Sequence, residues 1–146
     1  MKLQHIAAEA TSSATPEEVW ALLSDRSTWP SWSPLGSHSA ERPGADGTPD
    51  GIGGIAVFVT GRHRVREEIV EREAPRRLSY KLLSGLALRD YTAVAELTPV
   101  EAGTRIRWSA TFRPAVPGTG WIYARTLTRV FRGMVTGLAE AALVRR

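Results

Sequence analysis

The sequence predicts an α+β fold: a curved antiparallel sheet of about seven strands wrapped around a long C-terminal helix, with two short helices after the first strand. Three observations predict it. Strand-like runs separated by short turn segments occupy the middle of the chain, a well-formed helix start stands near the N-terminus, and one long amphipathic stretch closes the sequence. A length of 146 residues suits a single domain over 1–146, long enough to bury a real core.

Lys2 to Ser13 mixes apolar and polar residues without a helical period and reads as the opening strand. Thr15-Pro16-Glu17-Glu18 then starts a helix: Thr15 can accept from an early backbone N–H, Pro16 suits the first helical position, and Glu18 can reach back as a capping box. Val19, Trp20, Leu22 and Leu23 supply its apolar face, and Ser24-Asp25 end it while capping a second short helix near Arg26 to Trp32. Pro34 to Gly54 is rich in Gly, Pro, Ser, Asp and Ala and reads as a loop. Five strands should follow. Ile55, Val57 and Val59 alternate, as do Val65 and Ile69 with Arg64, Arg66 and Glu68, then Leu78, Tyr80 and Leu82. Tyr91, Ala93, Ala95 and Leu97 form the next run, and Ile106, Trp108, Ala110 and Phe112 the last. Thr60-Gly61, Ala74-Pro75, Ser84-Gly85 and Ala102-Gly103 mark the turns, which gives a meander with one dry face.

The closing helix runs from Trp121 to about Arg145. At ~100° per residue, Tyr123, Leu127, Val130, Met134, Gly137, Leu138 and Ala141 share one face, opposite Arg125, Thr128, Arg129, Arg132 and Thr136. Gly133 and Gly137 lie within or beside the apolar face, where each costs roughly 1 kcal/mol relative to alanine. Either another backbone comes close to them or space is kept open. Ala93, Ala95 and Ala110 on the facing strands permit both.

Composition narrows the function. There is no cysteine, so disulfides, thiolate metal sites and cysteine nucleophiles are excluded. The net charge of +4 comes from scattered arginines that do not alternate with aromatic residues, which argues against a nucleic-acid partner. No apolar run approaches the ~20 residues of a membrane span, and the start carries no secretory signal, so a cytoplasmic monomer or homodimer without stable membrane insertion is expected. His5, His38 and His63 have no ligand spacing, and nucleophile elbow, phosphate loop and dinucleotide fingerprint are all missing. No metal and no cofactor are expected.

Several segments together resemble one family. Thr15-Pro16-Glu17-Glu18-Val19-Trp20, Asp25, Trp29-Pro30-Ser31-Trp32, Val65-Arg66-Glu67-Glu68, Pro75-Arg76-Arg77-Leu78 before Tyr80, Gly103 to Trp108 and the final helix look like the START-like (SRPBCC) superfamily, in its polyketide cyclase/dehydrase subgroup. The resemblance implies a helix-grip fold with a deep pocket for an apolar small molecule between the sheet and the last helix. It also implies several function classes, since the fold hosts carriers, cyclases, aromatases and chaperone co-factors.

Binding of a lipid, polyketide or aromatic metabolite is therefore the leading expectation. The alternatives are a polyketide cyclase, aromatase or dehydratase, and a chaperone-cofactor-like interaction module. Pocket walls are expected from Tyr80, Tyr91, Ala93 and Trp108 on the sheet and from Tyr123, Leu127, Val130, Met134 and Gly137 on the helix. Glu67, Tyr80 and Tyr91 are the candidates for chemistry. Alternation puts Glu67 on the side of Val65 and Ile69, where a carboxylate is costly unless it is paired or protonated. A bulge could turn it outward or an arginine could satisfy it; otherwise it is a polar anchor or general acid/base, with His63 on the same face. Leu86 and Leu88 at a hairpin tip are candidates for a gate, an interface or neither.

Overall fold

Thr15 begins the first helix as its sequence dictates. Its side chain accepts from the Glu18 N–H, the Glu18 carboxylate accepts from the Thr15 N–H, and Pro16 opens the helical turn. The computed structural model describes residues 2–144. In chain order it contains β1 (Gln4–Ser12), α1 (Pro16–Leu23), a 3-10 turn (Arg26–Thr28) running into α2 (Trp29–Trp32), β2 (Ser37–Arg42), β3 (Ile55–Thr60), β4 (His63–Glu73), β5 (Arg77–Ser84), β6 (Leu88–Val100), β7 (Gly103–Pro114) and α3 (Gly120–Val144). Arg145, where the sequence ends its last helix, lies outside the described residues.

The strands form one antiparallel seven-stranded sheet in the order β1-β7-β6-β5-β4-β3-β2. β2 corrects the sequence reading, which took Pro34 to Gly54 as loop. Its residues are almost all exposed, so no apolar alternation marks it. Backbone pairing with β3 makes it a strand at the sheet edge. The register explains the inward alanines. Ala8, Trp108, Ala95 and Leu78 are successive cross-strand partners, so the indole is flanked by small side chains. Ile6, Ala110, Ala93, Tyr80 and Ile69 form the next row. Register shifts at Arg66/Glu67, Ile69/Glu71 and Arg89/Thr92 bend the sheet around α3.

α3 packs on β1, β7, α1 and α2. Its buried residues are Phe131, Met134, Val135, Leu138, Ala139 and Ala142, together with Gly120 at its start, a stripe wider than and rotated from the one read in the sequence. The sheet covers one flank of the helix and the short helices cover another, so Val135 and Ala139 are buried although they sit off the expected face. The two glycines serve close approach. A Cβ at Gly137 would overlap the backbone carbonyl oxygen of Trp32, and one at Gly133 would press on the Pro34 ring at 3.0 Å.

Candidate ligand cavity

A cavity of about 70 Å³ lies between the concave sheet face and the N-terminal half of α3. Glu67, Tyr80 and Tyr91 line it from the sheet; Leu127, Val130 and Met134 line it from the helix. The sequence reading missed Leu35, Phe58, Thr60, Val65, Leu82 and Phe131 as wall residues, and had Leu86 only as a hairpin tip. Val65, Leu82, Phe131 and Leu86 were legible as dry-face, helix or hairpin-tip apolar residues. Phe58 was not: the alternation of Ile55, Val57 and Val59 assigns the other face of β3, whereas Ala56 and Phe58 turn into the core and Val59 is 40% exposed. Leu35 sits in text that reads as loop, and Thr60 marks only a turn.

Four expected wall residues lie outside this lining. Ala93 is fully buried in the row beside Tyr80, where it is covered by neighbouring side chains. Trp108 is also fully buried, and its Nε1 donates to the Tyr80 hydroxyl at 3.0 Å, so it backs the cavity from behind that phenol. Tyr123 packs half-buried against the core one turn before Leu127. Gly137 borders a different feature, an open surface groove shared with Leu22, Ser31, Trp32 and Val144. That groove is wider than the cavity and has no convergent buried polar group, whereas the cavity is more enclosed and carries one.

The cavity is small because aromatic rings fill the rest of the grip. Trp29 is fully buried, stacks on Phe58 at 5.4 Å and meets Trp108 edge-on at 5.2 Å. Its Nε1 donates to the Leu23 carbonyl at 3.0 Å, which fixes the ring. What remains is well below the ~300–1,000 Å³ usual for ligand pockets, and corresponds to roughly two waters at ~30 Å³ each.

Its polar end is unusual. Glu67 is only 8% exposed, and its Oε1 is a buried side-chain oxygen without a hydrogen-bond partner among the described residues. The register shift at Arg66/Glu67 does not turn it outward. An arginine does come near, but its bonds go elsewhere: fully buried Arg26 donates to the Glu67 carbonyl oxygen at 3.0 Å, to Asp50 Oδ1 at 2.6 Å and to the carbonyls of Pro49 and Gly54. Burial pushes the Glu67 carboxyl up to about 7, and the nearby Arg26 charge only partly opposes it. His63, expected on the same face, is exposed at the start of β4. Burial also raises both tyrosines well above the ordinary phenol range, so they stay protonated; the Tyr80 hydroxyl accepts from Trp108 and engages the Tyr91 phenol. The arrangement offers a ligand one titratable carboxyl and a phenol within an apolar enclosure.

A curved antiparallel sheet gripping a long C-terminal helix around an internal cavity defines the helix-grip class of proteins. Residues 4–143 match the family described as polyketide cyclase/dehydrase and lipid transport, and the chain belongs to that family. Among solved structures it is similar to a Thermobifida fusca protein, with 26% identity, a TM-score of 0.77 and coverage of 97% of this chain and 93% of that one. A Thalictrum flavum norcoclaurine synthase point mutant, solved with a transition-state analogue, shares 16% identity and a TM-score of 0.77 over 99% and 96% of the two chains. Ara h 8.0201 shares 14% identity and a TM-score of 0.71 over 98% and 99%. The last two likenesses are of fold alone. No curated protein matches the sequence.

Proposed function

We propose that this protein binds a small apolar or amphipathic molecule in the cavity between the sheet and α3, with the ligand's polar group against Glu67 and Tyr91. Glu67 Oε1 carries the reading: a buried carboxyl oxygen without a partner is costly, and a ligand atom would supply the missing bond. Family membership supports a hydrophobic ligand in general terms. The closed volume is about half the ~150 Å³ that takes a benzene ring, so even a single-ring ligand with a short polar substituent needs the lining to yield, and a lipid or larger polyketide needs the Leu86 hairpin to move. On this reading the chain works as a single domain in the cytoplasm, as a monomer or homodimer.

Thermal unfolding with a panel of small ligands is the test, because anything that binds the native state alone raises Tm. Benzyl alcohol should raise it more than toluene in the parent, and Glu67→Leu should remove that preference while toluene still binds. A panel that leaves Tm unchanged throughout would remove the reading.

One observation favours catalysis as a second reading. A carboxyl that titrates at about 7 shares a cavity with protonated phenols, the combination used in general acid–base chemistry. The chain would then be a cyclase, aromatase or dehydratase acting on a polyketide-like substrate. Turnover that disappears in Glu67→Gln while binding survives would establish it; turnover unchanged by that substitution would leave Glu67 an anchor.

A further inference from the structure

α3 contains one acidic residue, Glu140, in its 25 residues. Over its first turns the exposed residues are Trp121, Ile122, Arg125, Thr126, Arg129 and Arg132. At ~100° per residue these fall within an arc of about 140°, so they form one continuous face. Trp121 is 64% and Ile122 46% exposed, a large apolar area for a soluble surface to leave uncovered. None of the three arginines has an ion pair or side-chain hydrogen bond among the described residues.

The apolar end of this face sits beside the cavity. Val116, also exposed, belongs to the loop before α3, and the Ala115 N–H donates to the Ala87 carbonyl at 2.9 Å. That bond ties the loop to the β5–β6 hairpin, whose Leu86 lines the cavity. Exposed Val116 thus stands one residue from the hairpin contact, Trp121 and Ile122 open the helix that follows, and three unpaired cations continue along the same helix face. Arg113 and Asp90 nearby pair with each other at 3.4 Å and leave that charge uncancelled.

We propose that this face docks peripherally on an anionic phospholipid bilayer, with Trp121, Ile122 and Val116 at the headgroup boundary and Arg125, Arg129 and Arg132 over lipid phosphates. Tryptophan at the interface and a basic face above an anionic leaflet are each rewarded by that environment. A nucleic acid would reward the guanidinium groups but not Ile122 or Val116, and Trp121 alone makes no stacking platform. Docking is peripheral because no helix among the described residues is long and apolar enough to cross a membrane. The surface stands independently of the cavity's occupant.

The experiment is vesicle co-sedimentation with tryptophan emission, comparing phosphatidylcholine vesicles with vesicles containing about one-third phosphatidylserine. Trp20, Trp29, Trp32 and Trp108 are all at most 9% exposed, so an emission shift reports Trp121. The expected result is binding and a blue shift with the anionic vesicles only. Arg125→Gln/Arg129→Gln/Arg132→Gln should weaken binding about a hundredfold with Tm unchanged, and Trp121→Ala should abolish the shift. Equal binding to both vesicle types, no effect of the triple substitution, or tighter binding to single-stranded RNA than to anionic vesicles would each overturn the proposal.

Discussion

Glu67 makes the fold pH-dependent in a direction that can be worked out. Its folded value of about 7 lies above the ordinary 4.5, so between those values the native state holds more protons than the unfolded one. Stability from this group is then full below about pH 4.5 and is lost as pH rises through 7. Glu67→Gln removes the loss: it should match the parent at pH 4 and exceed it by on the order of 3 kcal/mol at pH 8.5 in urea unfolding. Equal stabilities at both pH values would show that the carboxyl is solvated. Gly137 sets two opposed effects against each other. Alanine gains about 1 kcal/mol of helix propensity there but drives a Cβ into the Trp32 carbonyl oxygen, and backbone cannot give way as a side-chain tip can. Gly137→Ala should therefore lower Tm; a rise would mean that α3 is free to slide. Alternation alone put Glu67 on the inner side. That no partner meets it could not be read, because the one nearby cation, Arg26, sits in a polar turn with no sequence sign of being buried.

Arg26 joins elements that the sequence leaves unconnected. It holds Pro49, Asp50, Gly54 and Glu67 together, so the end of the segment read as loop is pinned to β4. Arg26→Met strips these acceptors of their donor and should cost about 3–5 kcal/mol, with faster amide exchange over 43–54. It should also raise the Glu67 carboxyl further, since the Arg26 charge holds that value down. Unchanged exchange in this segment would mean that its internal turns alone hold it. Each of α1, the five later strands and α3 announced itself by caps or periodicity. β2 did not, because an edge strand needs only backbone pairing, and neither did the wide buried stripe of α3, which depends on two neighbours contributed by distant parts of the chain. At the β5–β6 tip, Leu86 lines the cavity.

For the molecule as a whole, architecture was written in local patterns and the cavity was not. Small residues on both facing surfaces permitted either close packing or a hollow along α3; Trp29, Trp108 and Phe58 fill much of that space, and the glycines close on Trp32 and Pro34. How much space survives depends on side-chain packing across five elements, which no periodicity encodes. Methyl NMR during titration with benzyl alcohol tests where a ligand goes. Binding in the cavity predicts saturable shifts at Val65, Leu82, Leu127, Val130 and Met134, weakened when Glu67 is ionised above pH 8. Shifts confined to Leu22, Ala141 and Val144 would place the ligand in the outer groove and contradict the assignment.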